Sequence, residues 1–404
     1  MSAPITARVC VVGGGPAGIM LAFLLARAGY SVVALEKHGD FLRDFRGDTV
    51  HPSTMTVLDE LGLLDQFLQR PHSQITQLAG HIGEDTITIA DFSHIPAKTK
   101  FIAIMPQWDF LNFLSKHATA YPGYRLLMNT EGVDVIREGG RVVGVRANSR
   151  DGPLEIRADV VVACDGRSST MRSAVNITPR DLGAPMDVLW MGISRRPSDP
   201  YAALGFVGAG AFLVLIDRND YWQCGFVIAK GSADAVRARG IEAFRAEIVA
   251  IAPFLADRVN EIKSWDDVKL LTVAVERLDR WFIPGLLFIG DAAHAMSPIG
   301  GVGINLAIQD AVATANMLSR ALQRPGPVDD QTLATVERRR TYPTVMTQGL
   351  QVLVQRFAVT TVLGLKTAPK RAPLALRIVA SIPGFTWVPA YVVGIGFRPE
   401  HVTV

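Results

Sequence analysis

The chain has 404 residues, enough for two domains or three. Its 41 Lys and Arg against 38 Asp and Glu give a net charge of +3, a balance that argues against a nucleic-acid partner. Hydrophobic residues make up 49% and charged residues 20%, which excludes a disordered chain and supplies material for large buried cores. Three scattered cysteines, Cys10, Cys164 and Cys224, suit neither a disulfide framework nor a zinc site, and fit a reducing cytoplasm. The first apolar run has no cationic stretch before it, so no signal peptide is expected.

Residues 7–12 are apolar, β-branched and bounded by glycine, which predicts a buried strand. Helical spacing follows over 16–29, and 31–36 reads as a second strand, completing a parallel βαβ unit. Helices are expected at 53–69 and 106–121, with short β-type runs over 74–104. Strands and turns fill 133–163, ending in Ala-Asp-Val-Val-Val-Ala-Cys-Asp-Gly. Residues 186–230 are β-rich and aromatic, 234–262 reads as helical, 286–290 as a buried strand and 304–322 as a long helix. The expected architecture is α/β: a discontinuous Rossmann-like domain (1–75, 100–185, 270–330), an inserted β-rich substrate domain (76–99, 186–269) and a C-terminal helical, apolar tail (331–404).

Ile378 to Phe397 is twenty residues without a charge, the length of a membrane span. Pro383, Pro389 and three glycines would break such a span twice. The expected form is a pair of short elements packed on the body or on a second subunit, as in a homodimer; shallow peripheral membrane contact is the other reading.

Three motifs carry the chemistry. Gly13, Gly15 and Gly18 fit G-x-G-x-x-G, lie between a strand and a helix, and are followed by Glu36 and Lys37 at the end of the next strand. Gly13 serves the tight turn, Gly15 lets a pyrophosphate approach the backbone and Gly18 lets helix and strand pack, while Pro16 and Ala17 open the helix. Glu36 can accept from a ribose diol and disfavours a 2′-phosphate, so the dinucleotide is FAD or NAD. The second motif, Asp165 to Arg172, places Ser169 and Arg172 after an Asp-Gly turn; it is either structural or faces an anion. In the third, Gly290 to Asn305, Asp291 is placed for a polyol, and Pro298, Gly301, Gly303, Ile304 and Asn305 open a helix whose N–H groups suit developing negative charge. His294 reads as a packed residue rather than a catalytic one.

Together these three stretches resemble the fingerprints of the single-component FAD-dependent aromatic hydroxylases, the family of para-hydroxybenzoate hydroxylase. The match runs from residue 7 to about residue 320. The resemblance implies FAD as cofactor, NAD(P)H as reductant and O2 as co-substrate. It implies oxygen transfer through a C4a-hydroperoxyflavin to an aromatic or polyketide-like small molecule. It also assigns Arg46 and Gln107 to the cofactor, links Asp165 and Arg172 to both FAD and NAD(P)H, and puts Pro298 near the flavin. His51 is a candidate for the flavin edge, with a loop histidine as the other reading. The β-rich segment offers Trp190, Phe206, Phe212, Trp222 and Phe226 as candidate pocket walls, but no polar constellation that aligns with a known substrate site. A membrane-associated flavin reductase or dehydrogenase acting on an isoprenoid or quinone is the alternative, and a flavin-bound regulatory protein without turnover is a third.

Overall fold

The computed structural model describes residues 4–42, 48–200, 205–382 and 384–404. Among these, an eight-stranded sheet forms the centre of the nucleotide-binding half. Ile5–Val12 runs parallel to both Val32–Leu35 and Gly152–Ala163. The parallel series continues to Tyr124–Leu127 on one side and Leu286–Phe288 on the other. Every residue of Val32–Leu35 is buried, as expected of a strand covered on both faces. Helices Pro16–Arg27 and Gly303–Ala321 pack together on this sheet, with Gln107–Ala118 beside the first. Pro16–Arg27 buries Ala17 through Ala26 without interruption, so it lies inside the domain rather than on its surface.

The second sheet has seven strands among the described residues. It joins Gln77–Ile82 and Asp85–Asp91 to the strands between Met186 and Ala229 and to Lys269–Leu271. The link is a parallel pairing of Gly205–Val207 with Gln77–Ile82, across a wide gap in the sequence. Helix Ile241–Ile251 covers one face of this sheet and buries Phe244 and Ile248 against Leu189, Met191, Leu213 and Phe226.

Two predicted helices are each divided. The 53–69 stretch is Pro52–Glu60 and Leu64–Leu68, parted at Gly62, which has φ +70°. The 234–262 stretch stops and restarts at Gly240, with φ +87°, and its last α-helical residue is Ile251.

The tail begins with the 29-residue helix Asp330–Ala358. The apolar stretch after it holds two short helices, Leu374–Ala380 and Trp387–Gly394. Among the described residues, no helix is long and apolar enough to cross a membrane. The second short helix docks on the body. Ala390 is fully buried, and a side chain at Gly394 would meet the Phe92 ring at 3.2 Å. The first helix has no buried residue, and Ile378 is 56% exposed.

Candidate functional site

The three motif turns meet at the C-terminal ends of the parallel strands, where open α/β sheets bind ligands. Gly13 takes φ +108°, and an added Cβ would lie 2.4 Å from the Cys164 carbonyl oxygen. The first turn and the strand ending at Ala163 therefore touch backbone to backbone. At Gly18 an added Cβ would fall 1.9 Å from the Gly13 oxygen, so helix and turn need glycine to close. Gly15 is different: its Cβ would meet nothing within 4 Å, because the position faces a cavity.

That cavity has a volume of about 990 Å³, the upper end for small-molecule sites. Gly13, Gly15, Pro16 and Ala17 line it, with Glu36, Lys37 and Gln107. Asp165, Asp291, Pro298, Gly301, Gly303 and Ile304 complete this part of the wall. Helices Pro16–Arg27, Gln107–Ala118 and Gly303–Ala321 all begin on it; Asp48 takes the Gln107 N–H, and the free N–H groups of the other two favour an anion there. Glu36 is fixed at the wall by N–H groups of Gly14 at 3.1 Å and His38 at 2.9 Å.

Motif two serves motif three. Arg172 is buried, and its guanidinium donates to the carbonyls of Ala292 (3.1 Å) and Arg167. Ser169 Oγ caps the following turn by accepting from the Arg172 N–H at 3.0 Å. Neither lines the cavity: the Arg172 guanidinium is taken up by backbone carbonyls and Ser169 Oγ by a backbone N–H. The side chain that reaches the cavity is Arg167, whose Nε lies 3.1 Å from Asp291 Oδ2. Asp165 Oδ2 accepts the Met171 N–H at 3.0 Å, while its Oδ1 is buried without a partner. Burial pushes this carboxyl above its ordinary value despite the N–H groups around it. An orphaned oxygen on the cavity wall fits a ligand that donates to it.

Gly301 closes the far side. It takes φ +63°, and its carbonyl accepts from Thr49 Oγ1 at 2.7 Å, pinning the loop after the second strand to the third motif. Arg46 lies outside the described residues. Asn305 does not line the cavity; its Oδ1 accepts from the His51 N–H (3.1 Å) and Thr54 Oγ1 (2.6 Å), holding helix Pro52–Glu60 instead. His294 is buried, with Nε2 2.6 Å from Asp310, as its packed reading expects.

His51 is also away from the cavity and fully buried, its Nδ1 2.7 Å from the Val393 carbonyl in the tail. Burial lowers its pKa from 6.5 to about 4, against the raising effect of the Val393 bond. The unfolded chain therefore binds a proton near pH 6.5 that the folded chain refuses until about pH 4. Stability is complete above pH 6.5 and should fall by about 3 kcal/mol as the pH drops to 4. Urea unfolding of wild type and His51→Gln across this range checks it; parallel pH profiles for the two would rule out His51 as the source.

The aromatic candidates divide by strand face. Trp222 and Phe226 point to the helix-covered side: Phe226 meets Phe244 at 5.1 Å, and Trp222 Nε1 donates to Asp199 at 2.8 Å. Phe206 joins the same core, 6.0 Å from Phe254. These three are not pocket walls, because alternate residues of a strand take opposite faces. Trp190 does line the cavity, packed over Gly225, and Phe212 lies in the cluster beside it. Asp48, Arg218 and Gln223 also line the cavity and were missing from the sequence-based set. Their positions in a turn and on a strand carry no motif, and only the fold brings them together.

The family described as FAD binding domain matches residues 6–347. The chain belongs to this family. It is 33% identical to 6-methylpretetramide 4-monooxygenase of Streptomyces rimosus over 379 residues, 93% of this chain and 90% of the relative. It is 25% identical to para-nitrophenol 4-monooxygenase of Pseudomonas sp. (strain WBC-3), with 83% of each chain covered. Among solved structures, OxyS anhydrotetracycline hydroxylase from Streptomyces rimosus superposes with a TM-score of 0.74 at 21% identity, covering 96% of this chain and 76% of that one. The family binds FAD, and this cavity is the candidate place for it. Its glycine turns, two free helix starts and orphaned Asp165 oxygen suit a dinucleotide, and the second sheet closes the remaining end.

Within this candidate site, Asp291 is the acid best placed for a polyol. Asp291→Ala should weaken FAD binding roughly ten- to hundredfold, the loss of a charge-assisted hydrogen bond worth about 1.5–3 kcal/mol. Titration of apoprotein with FAD measures it. Unchanged affinity would assign Asp291 to Arg167 alone.

Proposed function

We propose that the protein is an FAD-dependent monooxygenase that hydroxylates an aromatic or polyketide-like small molecule. The overall reaction consumes the substrate, O2, NAD(P)H and a proton, and yields hydroxylated substrate, water and NAD(P)+. The carrying observation is one cavity that runs from the dinucleotide turn at Gly13 to Trp190 on the second sheet. Beyond the dinucleotide turns its wall includes Trp190, Ile216 and Leu271 of the second sheet, where a substrate would meet the cofactor. The names of the relatives, monooxygenases of a pretetramide and of para-nitrophenol, support the same class of substrate.

Bound FAD supplies the redox chemistry, taking electrons from the nicotinamide and activating dioxygen. The chain supplies the rest. Gly13 to Ala17 and the helix start behind them hold the pyrophosphate, Glu36 takes the adenosine ribose and Asp291 the ribityl hydroxyls. The N–H groups at Gly303 and Ile304 favour negative charge on whatever lies against them. Trp190, Ile216 and Leu271 give the reacting end an apolar wall. No nucleophilic side chain is required. A membrane-associated reductase acting on an isoprenoid or quinone is not supported, since the relatives named here are monooxygenases.

The test follows NAD(P)H oxidation and hydrogen peroxide together across a panel of phenols and fused hydroxy-ketones. A true substrate accelerates NAD(P)H oxidation and yields less peroxide than NAD(P)H consumed. Peroxide equal to NAD(P)H for every compound would overturn hydroxylation.

A further inference from the structure

The substrate end of the cavity carries a polar group that the cofactor does not explain. Arg218 sits in the turn between strands Phe212–Asp217 and Tyr221–Ala229. Its guanidinium pairs with Asp48, and its Nε donates to Gln223 Oε1 at 2.9 Å. The Arg218 side chain is only 7% exposed, yet its Nη1 meets no acceptor among the described residues. Trp190 Nε1 is likewise buried without a partner. Both residues line the cavity, and both belong to the second sheet rather than to the dinucleotide half.

Buried donors left without acceptors cost free energy, so two on one wall point to a ligand that accepts from them. The charge narrows the choice. Asp48 is itself held in place, its Oδ1 taking the Gln107 N–H at 3.3 Å, and it offsets the guanidinium charge. A pocket with donors but little net charge suits ring carbonyl and phenolic or enolic oxygens better than a carboxylate or phosphate. The apolar neighbours Ile216 and Leu271, with the indole of Trp190, suit a flat ring system.

We propose that Arg218 and Trp190 select the substrate by donating hydrogen bonds to the oxygens of a fused hydroxy-ketone, a vinylogous acid. This rests on reading the cavity as a flavin monooxygenase site. Two fixed donors on one wall set the orientation of the ring system, and with it the carbon presented to the flavin. Asp48 is a positioning residue: it holds the guanidinium in place and touches no ligand.

The test uses the FAD-loaded protein with 1,8-dihydroxyanthraquinone as probe, followed by fluorescence quenching. Arg218→Gln should bind the probe at least about tenfold more weakly, and Trp190→Phe several-fold, each with wild-type FAD content. Trp190→Phe keeps an aromatic ring, so it remains informative if Arg218→Gln fails to fold for want of the Asp48 pair. Unchanged affinity in Trp190→Phe and in a folded Arg218→Gln would overturn the proposal. So would loss of FAD from folded Arg218→Gln, which would assign the guanidinium to the cofactor. A wild-type protein that retains FAD and hydroxylates other aromatics but does not bind this probe overturns the substrate class alone, leaving the broader function standing.

Discussion

Gly15→Val should give a folded chain that no longer retains FAD. Gly15 sits in extended backbone at φ −76°, ψ −175°, a conformation open to valine, and its Cβ would meet no protein atom within 4 Å. The added side chain therefore enters the cavity, where the pyrophosphate approaches the turn. Displacing that group forfeits one or more charge-assisted bonds, each about 1.5–3 kcal/mol, so affinity should drop on the order of a hundredfold or more. Gly18→Val is the contrast. Its Cβ would lie 1.9 Å from the Gly13 oxygen, so this variant should lose structure and flavin together. Flavin-to-protein absorbance ratios with far-ultraviolet circular dichroism separate the two outcomes. Gly15→Val with normal flavin content would place the cofactor elsewhere.

Asp310→Ala should destabilise the fold strongly, by about 3–5 kcal/mol. Asp310 is fully buried in helix Gly303–Ala321. It accepts from Arg340 Nε at 2.8 Å, from the Gly290 N–H at 3.0 Å and lies 2.6 Å from His294 Nε2. Truncating it leaves the Arg340 guanidinium, 1% exposed, with Glu400 as its remaining carboxylate, and strands an N–H of the cofactor turn. Denaturant unfolding of the apoprotein measures the loss as a lower midpoint at unchanged slope. A shift equivalent to less than about 1 kcal/mol would show that His294, Arg340 and Gly290 find other partners. Burial pushes the Asp310 carboxyl up, but His294 and Arg340 outweigh it and hold the acid below its ordinary value. Its contribution is therefore present above the usual carboxylate range and fades as the pH falls below it.

The dinucleotide half was legible because its constraints are local. A strand, three glycines and a helix within thirty residues fix the geometry around Gly13, and Glu36 follows one strand later. The third motif was legible for the same reason, apart from Asn305, whose side chain is claimed by His51 and Thr54 from an element about 250 residues away. The substrate wall was not legible. Choosing between Trp190 and Trp222 requires knowing which face of each strand meets the helix Ile241–Ile251, and a shift of one residue reverses the answer. Pairing Trp190 with Gly225 settles it, and nothing in the composition of either strand announces that register. Arg218 and Asp48 pair across 170 positions, and neither lies in a glycine motif.

The chain of contacts from Gly290 through Asp310 to Arg340 runs on to residues 400–404, since Arg340 also contacts Glu400, which Arg339 grips at 2.8 Å. His401 and Val402 bind Glu60, and Val404 meets Arg27 at the end of the first helix. Residues 400–404 thus brace the cofactor turn from behind, through Arg340 and Asp310. Glu400→Ala should therefore show up as protein that sheds its flavin colour, although no group in the cavity has been touched.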